Sequence, residues 1–388
     1  MRRIYLDHNA TTPLDPQVLE AMTGVLREDF GNPSSLHWFG QRARGAIDVA
    51  RGQVAALIGA QPNEIVFTGS GTEADNLALR GVAGMAKEPR RKIVYSAIEH
   101  HAIVNTARAL ADEGVPTDAI RVGADGLLHL EDLDARLDDQ TALVSVMFAN
   151  NETGVIQPVA EVARRAHARG ALVHCDAVQA AGKIPVDVVA LGVDLLTISA
   201  HKFYGPQGAG ALYVKRGTRM RALLRGGSQE KNRRAGTENV AAIVGMGEAA
   251  ALAVARVKEE ATRESTLRDA LEARLLAIPG TQINGQGPRV PNTTNVSFDG
   301  IEAESLLMAL DLAGVAVSTG AACAAGAIEP SHVLRAMGLP MPRIEASLRF
   351  SLGRATTEDD LRAAADKVAE AVTKQRALAG RASGSGRR

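Results

Sequence analysis

The chain has 388 residues, of which 46% are hydrophobic, and its 44 Lys and Arg side chains balance 44 Asp and Glu side chains. At about 150 residues per domain, this length predicts two or three domains. The zero net charge gives no electrostatic reason to expect a nucleic acid or an anionic membrane as the main partner. Two cysteines exclude a disulfide-stapled scaffold and a cysteine-rich zinc or cluster-binding module. The first ten residues contain no apolar run, so we expect no secretory signal and a cytoplasmic location.

Short apolar segments alternate with helical patterns through the first half of the chain. Helices are predicted between most of these segments, for example over 73–84 and 159–169. The predicted strands are 64–68, 92–96, 142–148, 171–176, 195–199 and, at an edge, 211–214. This alternation predicts the α/β class, with a mainly parallel sheet covered by helices on both faces.

Residues 240–257 form an apolar run of nearly membrane-spanning length. The run is built mostly from Ala and Gly, and Glu248 lies at its middle. A charged side chain at the centre of a membrane helix costs roughly 2.5–3.5 kcal/mol, and few residues here are hydrophobic enough to offset that cost. The run therefore predicts a buried helix of a soluble protein and no membrane span.

The pattern of elements changes near residue 255, where a charged helical stretch begins. It is followed by a predicted strand at 295–298, a helix at 302–312 and a strand at 347–351. The last residues are rich in Gly, Ser and Arg, a composition that favours disorder. The predicted division is a large domain over 14–255, a small α+β domain formed by 1–13 and 256–376, and a disordered tail over 377–388.

A glycine-rich turn follows the strand predicted at 64–68. It reads Gly69-Ser70-Gly71-Thr72 and leads directly into a predicted helix. Ligands of parallel sheets bind beyond the carboxyl ends of the strands, and the free N–H groups of a helix N-terminus suit a phosphate group. Alternatively, glycine serves only the geometry of the turn. No Gly-Lys-Ser/Thr follows, which disfavours an ATPase.

Asp176 and Lys202 follow two further strands. Asp176 ends the strand predicted at 171–176, with Gln179 three residues later, and Lys202 follows the strand at 195–199. Each alone is ambiguous, since it could be an ordinary charge at the sheet edge. Partial desolvation, however, lowers the pKa of a lysine and makes its amine available for a Schiff base. Together with the phosphate turn, the pair matches the needs of pyridoxal phosphate, whose ring nitrogen takes a carboxylate partner.

Two histidines and two cysteines are the remaining candidates. His100 and His101 follow the strand at 92–96, where an imidazole could stack on a cofactor ring or exchange protons. We predict no metal site, because further ligands at a suitable geometry are not evident. Cys175 has apolar neighbours and is predicted to be a buried strand residue. Cys323 lies among small side chains, where it is either a nucleophile or an ordinary loop thiol.

Long motifs cover the chain from about residue 4 to residue 375. They include YLDHNATTPLDP from Tyr5, GNPSSLH from Gly31, FTGSGTEADNLALRG from Phe67, EHHAI from Glu99, NNETGVIQP from Asn150, HCDAVQ from His174, SAHKFYGPQGAGALY from Ser199, GGSQEKNRRAGTEN from Gly226 and SLRFSLGR from Ser347. In these motifs the sequence resembles the NifS- and IscS-type cysteine desulfurases of the class-V aminotransferase group. The resemblance implies a fold-type I, pyridoxal-phosphate-dependent homodimer that converts L-cysteine to L-alanine. It also implies that sulfur passes to an enzyme cysteine persulfide and then to an acceptor protein, for iron–sulfur cluster, thio-cofactor or tRNA biosynthesis.

The resemblance also implies roles for individual residues. Lys202 would form the Schiff base and remove the α-proton of the substrate, and Cys323 would be the persulfide-forming nucleophile. His100 would stack on the cofactor ring and serve as an acid or base. The implied cofactor contacts are Gly71, Thr72, Asn151, His100, Asp176 at the ring nitrogen, Gln179 at the ring hydroxyl, Ser199, His201, Lys202 and, across a homodimer interface, Thr237. The implied substrate contacts are Arg349 and Asn151 at the carboxylate, with Asn32 close by.

Some features depart from the family pattern, and other functions stay open. Alanines at 321, 322, 324 and 325 surround Cys323 where family members usually carry serines, and Gly71 stands where alanine is common. The tail has little resemblance to the scaffold-binding tail of the housekeeping enzymes, so the acceptor is open. The chain could instead catalyse another pyridoxal-phosphate reaction, such as selenocysteine lysis or transamination. It could also be a non-catalytic sulfur-relay scaffold, although a scaffold requires neither Lys202 nor Arg349.

Overall fold

The computed structural model describes residues 3–87, 89–320, 323–324 and 327–385, with the backbone only at 323–324, 327–328 and 379–385. The strands are β1 (Ile4–Tyr5), β2 (Ile65–Thr68), β3 (Lys92–Ser96), β4 (Thr117–Ile120), β5 (Thr141–Ser145), β6 (Leu172–Asp176), β7 (Leu195–Ser199), β8 (Gly210–Val214), β9 (Thr281–Ile283), β10 (Thr293–Phe298), β11 (Val315–Ala316), β12 (Cys323–Ala324), β13 (Ala327–Ile328) and β14 (Ser347–Ser351). The helices are α1 (Pro16–Glu28), α2 (Trp38–Leu57), α3 (Gly71–Ala83), α4 (His101–Asp112), α5 (Leu130–Arg136), α6 (Val159–Ala168), α7 (Val188–Leu191), α8 (Gln229–Asn232), α9 (Val240–Leu276), α10 (Ala303–Leu312), α11 (His332–Ala336), α12 (Met341–Glu345) and α13 (Glu358–Ser385). Two 3₁₀ turns lie at Pro62–Glu64 and Ala200–Lys202.

The central sheet has seven strands in the order β2-β8-β7-β6-β5-β3-β4. All of them run parallel except β8, which is antiparallel to both of its neighbours. The predicted α/β class is therefore confirmed. The strand predicted at 142–148 is shorter than expected, but Val146 and Phe148 still donate hydrogen bonds to the carbonyls of His174 and Asp176 beside them.

Helices cover both faces of the central sheet, as predicted. On one face, Leu77 of α3 and Ile103 of α4 pack in one buried cluster with strand residues such as Leu143. On the other face, Val54 of α2 and Val162 of α6 belong to a second buried cluster. Because neither face meets water, the strands consist of continuous apolar runs instead of alternating ones.

A further core surrounds the antiparallel sheet β14-β10-β9. Phe298 and Phe350 of this sheet belong to one buried cluster with Leu271 of α9, Leu306 of α10 and Leu361 of α13. The N-terminal residues join this core, since β1 pairs in parallel with β11. Side chains of α11 and α12, however, pack with the core of the central sheet. The predicted boundaries of a large and a small domain stay a prediction.

The apolar half of α9 packs against other helices. By length and composition α9 could cross a membrane, but half of its most apolar 18-residue stretch is buried within the protein. A Cβ at Gly247 would lie 2.6 Å from the Cα of Ala50 in α2, and a Cβ at Gly245 would lie 2.6 Å from the Sδ of Met22 in α1. Glycine therefore permits a close approach of three helices, which agrees with the buried helix predicted here.

The C-terminal tail differs from its prediction. Disorder is predicted from residue 377, whereas helix α13 continues to Ser385. Residues 377–383 include three alanines, a leucine and an arginine, which are strong helix formers, and these continue the helix past the glycine at 380. Residues 386–388 lie outside the described part of the chain.

Candidate active site

A cavity of about 390 Å³ opens at the carboxyl edge of the central sheet. Its lining includes Gly71 after β2, His100 after β3, Asp176 at the end of β6 and Lys202 after β7. Since β2 and β7 are both antiparallel to β8, they run in the same direction and end at the same edge. The edge where ligands of parallel sheets bind thus brings these four predicted residues together.

The first turn of α3 forms one side of the cavity. Ser70 caps the helix, because its hydroxyl accepts a hydrogen bond from the N–H of Glu73 at 3.1 Å. A Cβ at Gly71 would lie 3.3 Å from the Cβ of Ser199, so the turn packs tightly against the end of β7. Thr72 lines the cavity. The first N–H groups of a helix have no partner within the helix, and with the helix dipole they favour a phosphate.

Asp176 lies in a cluster of buried carboxyl groups. Its Oδ1 accepts a hydrogen bond from the N–H of Val178 at 2.9 Å, and burial raises its pKa. Burial, together with the charge of Asp176, raises the pKa of Asp75 and Glu99 well above the usual carboxyl range. Asp75 Oδ1 and Glu99 Oε2 have no hydrogen-bond partner among the described residues. Of these three buried carboxyl groups, Asp176 is the one at the end of β6, where its backbone hydrogen bond from Val178 opposes the rise of its pKa.

Lys202 extends from the 3₁₀ turn after β7 into the same cavity. Its Nζ donates hydrogen bonds to the carbonyls of Asn9, at 2.6 Å, and Ala10, at 2.7 Å. Burial and the positive charge of Arg349 lower the pKa of Lys202 to about 8, against the opposing effect of Asp176. Near neutral pH a larger fraction of this amine is uncharged than in an exposed lysine, and the uncharged amine is the form that attacks a carbonyl group.

Two histidines of the cavity are held neutral. His100 caps α4, and its Nδ1 accepts a hydrogen bond from the N–H of Ala102 at 3.1 Å, which fixes the ring. The ring faces the open cavity, but the surrounding protein and the charge of Lys202 lower its pKa to about 4. The pKa of His201 is also lowered to about 4 by burial, and its Nδ1 lies 3.1 Å from the Thr11 hydroxyl. Neutral imidazoles can accept or donate one hydrogen bond at each nitrogen.

Arg349 of β14 presents a fixed guanidinium to the cavity. It is only 4% exposed, and it donates to the carbonyl of Asn151 at 2.9 Å and to the Asp7 carboxylate at 2.6 Å. Its Nε has no hydrogen-bond partner among the described residues. A planar guanidinium fixed in this way suits the carboxylate of an amino-acid substrate.

The structure gathers most of the predicted site residues in this cavity. Those in its lining are Gly71, Thr72, His100, Asn151, Asp176, Gln179, Ser199, His201, Lys202 and Arg349. Asn32 is instead exposed on the loop before α2, where its side chain accepts a hydrogen bond from the N–H of Ser34 at 2.9 Å. Thr237 lines a separate cavity beside Thr68 and Gly69, and its role across a dimer interface stays a prediction.

The position of the predicted nucleophile is described only in part. The backbone of Cys323 pairs with that of Ile328 in the β12–β13 hairpin, and its side chain lies outside the described residues. Ser318 and Gly320, which precede it, line the cavity. Cys175 is fully buried, as predicted.

Several residues of the site are not predicted from the sequence: Asn9, Asp75, Glu99, Glu152 and His332. Asn9 is 1% exposed, and besides its contact with Lys202 its carbonyl accepts a hydrogen bond from the side chain of Gln179 at 2.9 Å. A signal for the first four was present, because each lies inside one of the motifs quoted above. Each is also a polar or acidic residue within or beside an apolar segment, where burial without a role is costly.

The donor set of the cavity fits pyridoxal phosphate. A helix N-terminus can hold the phosphate, a buried carboxyl group can face the ring nitrogen, and an amine with a lowered pKa can bond the aldehyde carbon. In the described part of the chain, no group of three or more His, Cys, Asp or Glu side chains is placed to hold a metal ion.

Comparisons with known proteins agree with this fit. The sequence pattern of the class-V aminotransferases matches residues 4–363. A cysteine desulfurase of Trichormus azollae is 49% identical over 380 residues, which cover 97% of this chain and 95% of that protein. A solved structure of a NifS-like protein has a TM-score of 0.90 and 38% identity, covering 96% of this chain and 99% of its own. A structure of SspA in complex with cysteine has a TM-score of 0.80 and 31% identity, covering 90% of this chain and 98% of its own. The chain therefore belongs to the class-V aminotransferase family and, within it, to the cysteine desulfurases.

Proposed function

We propose that the protein converts L-cysteine to L-alanine and transfers the sulfur to Cys323. The observation that carries this proposal is a single cavity that joins Lys202, Asp176 and Arg349, with Gly320 in its lining three residues before Cys323. The relative named a cysteine desulfurase and the similar structure in complex with cysteine support the choice of substrate.

The overall step balances without an external oxidant or reductant. The Cβ–S bond of the substrate breaks, and an S–S bond forms at the Sγ of Cys323. Sulfur is oxidised to the sulfane level while the β-carbon of the substrate is reduced to a methyl group. Of the two thiol protons, one stays on the persulfide and the other ends on the methyl group of alanine.

The residues of this chain bind the substrate and move its protons. Pyridoxal phosphate, when bound, supplies a ring that draws electron density from the α-carbon of the substrate. Asp176 holds the proton of the ring nitrogen, and Arg349 binds the substrate carboxylate through parallel N–H donors. Lys202 Nζ removes the α-proton, which its lowered pKa permits near neutral pH. His100, neutral and facing the cavity, exchanges a proton through Nε2.

The remaining cofactor and substrate contacts belong to the same proposal. The first turn of α3, whose N-terminus faces the cavity, would hold the phosphate. The proposed contacts are Gly71, Thr72, Ser199, His201 and Thr237 at the phosphate, Asn151 and Gln179 at the ring, and Asn32 and Asn151 near the substrate.

An exposed aromatic cluster supports a homodimer. Phe30, Leu36 and Trp38 are 73%, 90% and 59% exposed, and the ring centroid of Phe39 lies 5.2 Å from that of Phe30 and 4.9 Å from that of Trp38. Exposed apolar clusters mark interaction surfaces. We propose that a second copy of the chain covers this cluster.

The persulfide sulfur passes on to an acceptor protein. In the cytoplasm, this acceptor is either an iron–sulfur scaffold or a sulfur carrier.

The decisive experiment compares the native holoenzyme with Cys323→Ala. Alanine and sulfide are measured after L-cysteine is added with a thiol reductant. We expect equal amounts of both products from the native protein and none above background from the variant, while the cofactor absorbance persists. Cys175→Ala is the matched control, because Cys175 is the other cysteine and is buried away from the cavity lining.

Equal release of alanine and sulfide by Cys323→Ala and the native protein would remove the nucleophile from the proposal and favour a lyase of the selenocysteine lyase type, which does not need this thiol. Consumption of L-cysteine without alanine or sulfide would favour a transaminase. Absence of a cofactor absorbance in the native protein would instead favour a sulfur-relay scaffold without catalysis.

A further inference from the structure

Cys323 lies in a segment that begins at Gly320 and ends at Ser331, called here the cysteine-bearing segment. Its two ends meet at one buried carboxyl group. Glu152 lies in the turn after β5 and is 1% exposed. Gly320, before the cysteine, lies beside this side chain, and Ser331, after it, donates a hydrogen bond to it. None of the roles assigned above to the site uses Glu152.

The C-terminal end of the segment is held by a hydrogen bond. The Ser331 hydroxyl donates to Glu152 Oε2 at 2.5 Å and lies 179 residues away in sequence. The same hydroxyl accepts a hydrogen bond from the N–H of Leu334 at 3.1 Å, so it also caps α11. Glu152 therefore fixes the point at which the segment enters a helix.

The N-terminal end of the segment lies close to Glu152 and is held by its own hydrogen bonds. Gly320 has a φ of +81°, and a Cβ there would lie 3.1 Å from both Cγ and Oε2 of Glu152. The Gly320 N–H donates to the Ser318 hydroxyl at 3.0 Å, and the backbone of Ser318 pairs with that of Arg349 in β14. A side chain at position 320 would therefore press on Glu152.

The backbone of Glu152 is itself fixed by two asparagine side chains. Its N–H donates to the side chain of Asn150 at 2.9 Å, and its carbonyl accepts a hydrogen bond from the side chain of Asn295 at 3.3 Å. Burial raises its pKa to about 7, although the Ser331 hydrogen bond and the charge of Arg349 oppose this shift. A side chain so enclosed acts as a fixed support and not as a mobile surface acid.

We propose that Glu152 is a positioning residue that fixes both ends of the cysteine-bearing segment and so sets how Cys323 meets the bound substrate. This inference rests on the proposed function, in which Cys323 accepts the sulfur. Reacting atoms must come within about 3–3.5 Å, and a misplacement of ~1 Å can cost on the order of a hundredfold in rate.

Hydrogen exchange of the holoenzyme tests the positioning directly. We expect Glu152→Ala to speed amide exchange at 316–320 and 331–335 by roughly tenfold, because local opening becomes easier. Glu152→Gln keeps an acceptor oxygen for Ser331 and the same shape, so exchange should stay near the native rate. Glu264→Ala is the matched control, since Glu264 is also buried, also has a pKa raised to about 7, and lies in α9 outside the cavity lining.

Single-turnover kinetics separate positioning from proton transfer. In Glu152→Ala we expect alanine formation to fall by roughly tenfold to a hundredfold, while the affinity for L-cysteine, read from the cofactor absorbance, changes less than about threefold. Glu152→Gln should retain most of the native rate. Unchanged exchange in Glu152→Ala would overturn the inference. The inference would also be overturned if Glu152→Gln formed alanine as slowly as Glu152→Ala while its amide exchange stayed native. The rate would then depend on the carboxyl proton of Glu152 and not on the position of the segment.

Failure of the proposed function would look different. If Cys323→Ala kept the native turnover, the sulfur-transfer role would fall, whereas the exchange rates at 316–320 and 331–335 would be unaffected. If exchange failed to respond while Cys323→Ala was inactive, only the role of Glu152 would fall.

Discussion

The two walls of the cavity are held in place by different kinds of interaction. The sheet wall consists of Gly71, Asp176, Ser199 and Lys202, which lie at or just after the ends of β2, β6 and β7. Backbone ladders across the central sheet position these residues, and both faces of that sheet are packed with apolar side chains. The sheet wall is thus fixed by many backbone bonds at once, each of them independent of side-chain identity.

The C-terminal wall consists of Ser318, Gly320, His332 and Arg349. Backbone pairing holds Ser318 and Arg349, but the contacts of this wall with the rest of the cavity depend on single side chains. Arg349 reaches across to the carbonyl of Asn151, and His332 Nε2 donates to the carbonyl of Glu99 at 2.9 Å. Substitutions in the sheet wall should therefore change the chemistry and leave the position of the wall intact. In the C-terminal wall, one substitution should shift the position of the wall itself.

The largest expected effect is that of Lys202→Ala in the sheet wall. The variant loses both the amine that bonds the cofactor and the base that moves the α-proton, so turnover should fall by roughly 10⁴-fold or more. Turnover of L-cysteine and the cofactor absorbance are the measurements. Lys215→Ala, a lysine after β8 with a half-exposed side chain, should leave both unchanged. Exogenous alkylamine that restored no activity, together with a melting temperature far below the native one, would point to lost structure instead of lost chemistry.

Arg349→Lys tests the C-terminal wall. Lysine keeps the positive charge but loses the planar pair of donors that suits a carboxylate. Charge-assisted hydrogen bonds contribute about 1.5–3 kcal/mol, so KM for L-cysteine should rise by about tenfold to a hundredfold. The steady-state kcat should change much less, because Arg349 does not touch the proton that moves.

The matched control for Arg349→Lys is Arg121→Lys. Arg121 also pairs with a carboxylate, Asp132, but its side chain is 73% exposed and lies outside the cavity lining. The KM of the Arg121→Lys variant for L-cysteine should equal the native value. A KM that stayed native in Arg349→Lys as well would mean that another group binds the substrate carboxylate.

Sequence patterns are sufficient for most of the sheet wall. Strand–helix alternation predicts a parallel sheet, and the ends of such strands meet at one edge, so the pattern alone places Gly71, Asp176 and Lys202 together. The role of Ser199 follows only from the family resemblance. The spacing of apolar residues within a segment indicates whether it forms a strand or a helix, because that choice depends mainly on the residues of the segment itself. The strand predicted at 142–148 extends beyond the observed strand, which ends at Ser145, because residues 146–148 are apolar as well.

Most of the C-terminal wall could not be predicted in this way. His332 donates a hydrogen bond to the carbonyl of Glu99 across 233 residues, and Ser331 beside it meets Glu152 across 179 residues. No local pattern predicts which buried polar groups become partners across such distances. Arg349 was assigned only through the family resemblance, and Asn32, predicted in the same way, lies on an exposed loop outside the cavity.

A pair of glycine substitutions gives the smallest effect and the sharpest comparison. Gly320 in the C-terminal wall and Gly114, between α4 and β4, have φ values of +81° and +83°. Alanine in this conformation costs about 1–2 kcal/mol at either position. A Cβ at Gly114 would have nothing within 4 Å, whereas a Cβ at Gly320 would press on Glu152.

Both alanine variants should therefore lose similar stability, but only Gly320→Ala should slow sulfur transfer. We expect single-turnover alanine formation to fall roughly fivefold to tenfold in Gly320→Ala, the rate equivalent of about 1–1.4 kcal/mol, and to stay native in Gly114→Ala. Thermal unfolding measures the strain that the two variants share, and rapid-quench product analysis measures the difference between them. Equal rates of alanine formation in the two variants would show that the C-terminal wall tolerates displacement. The added Cβ at position 320 would then have no effect on sulfur transfer beyond the backbone strain that both variants share.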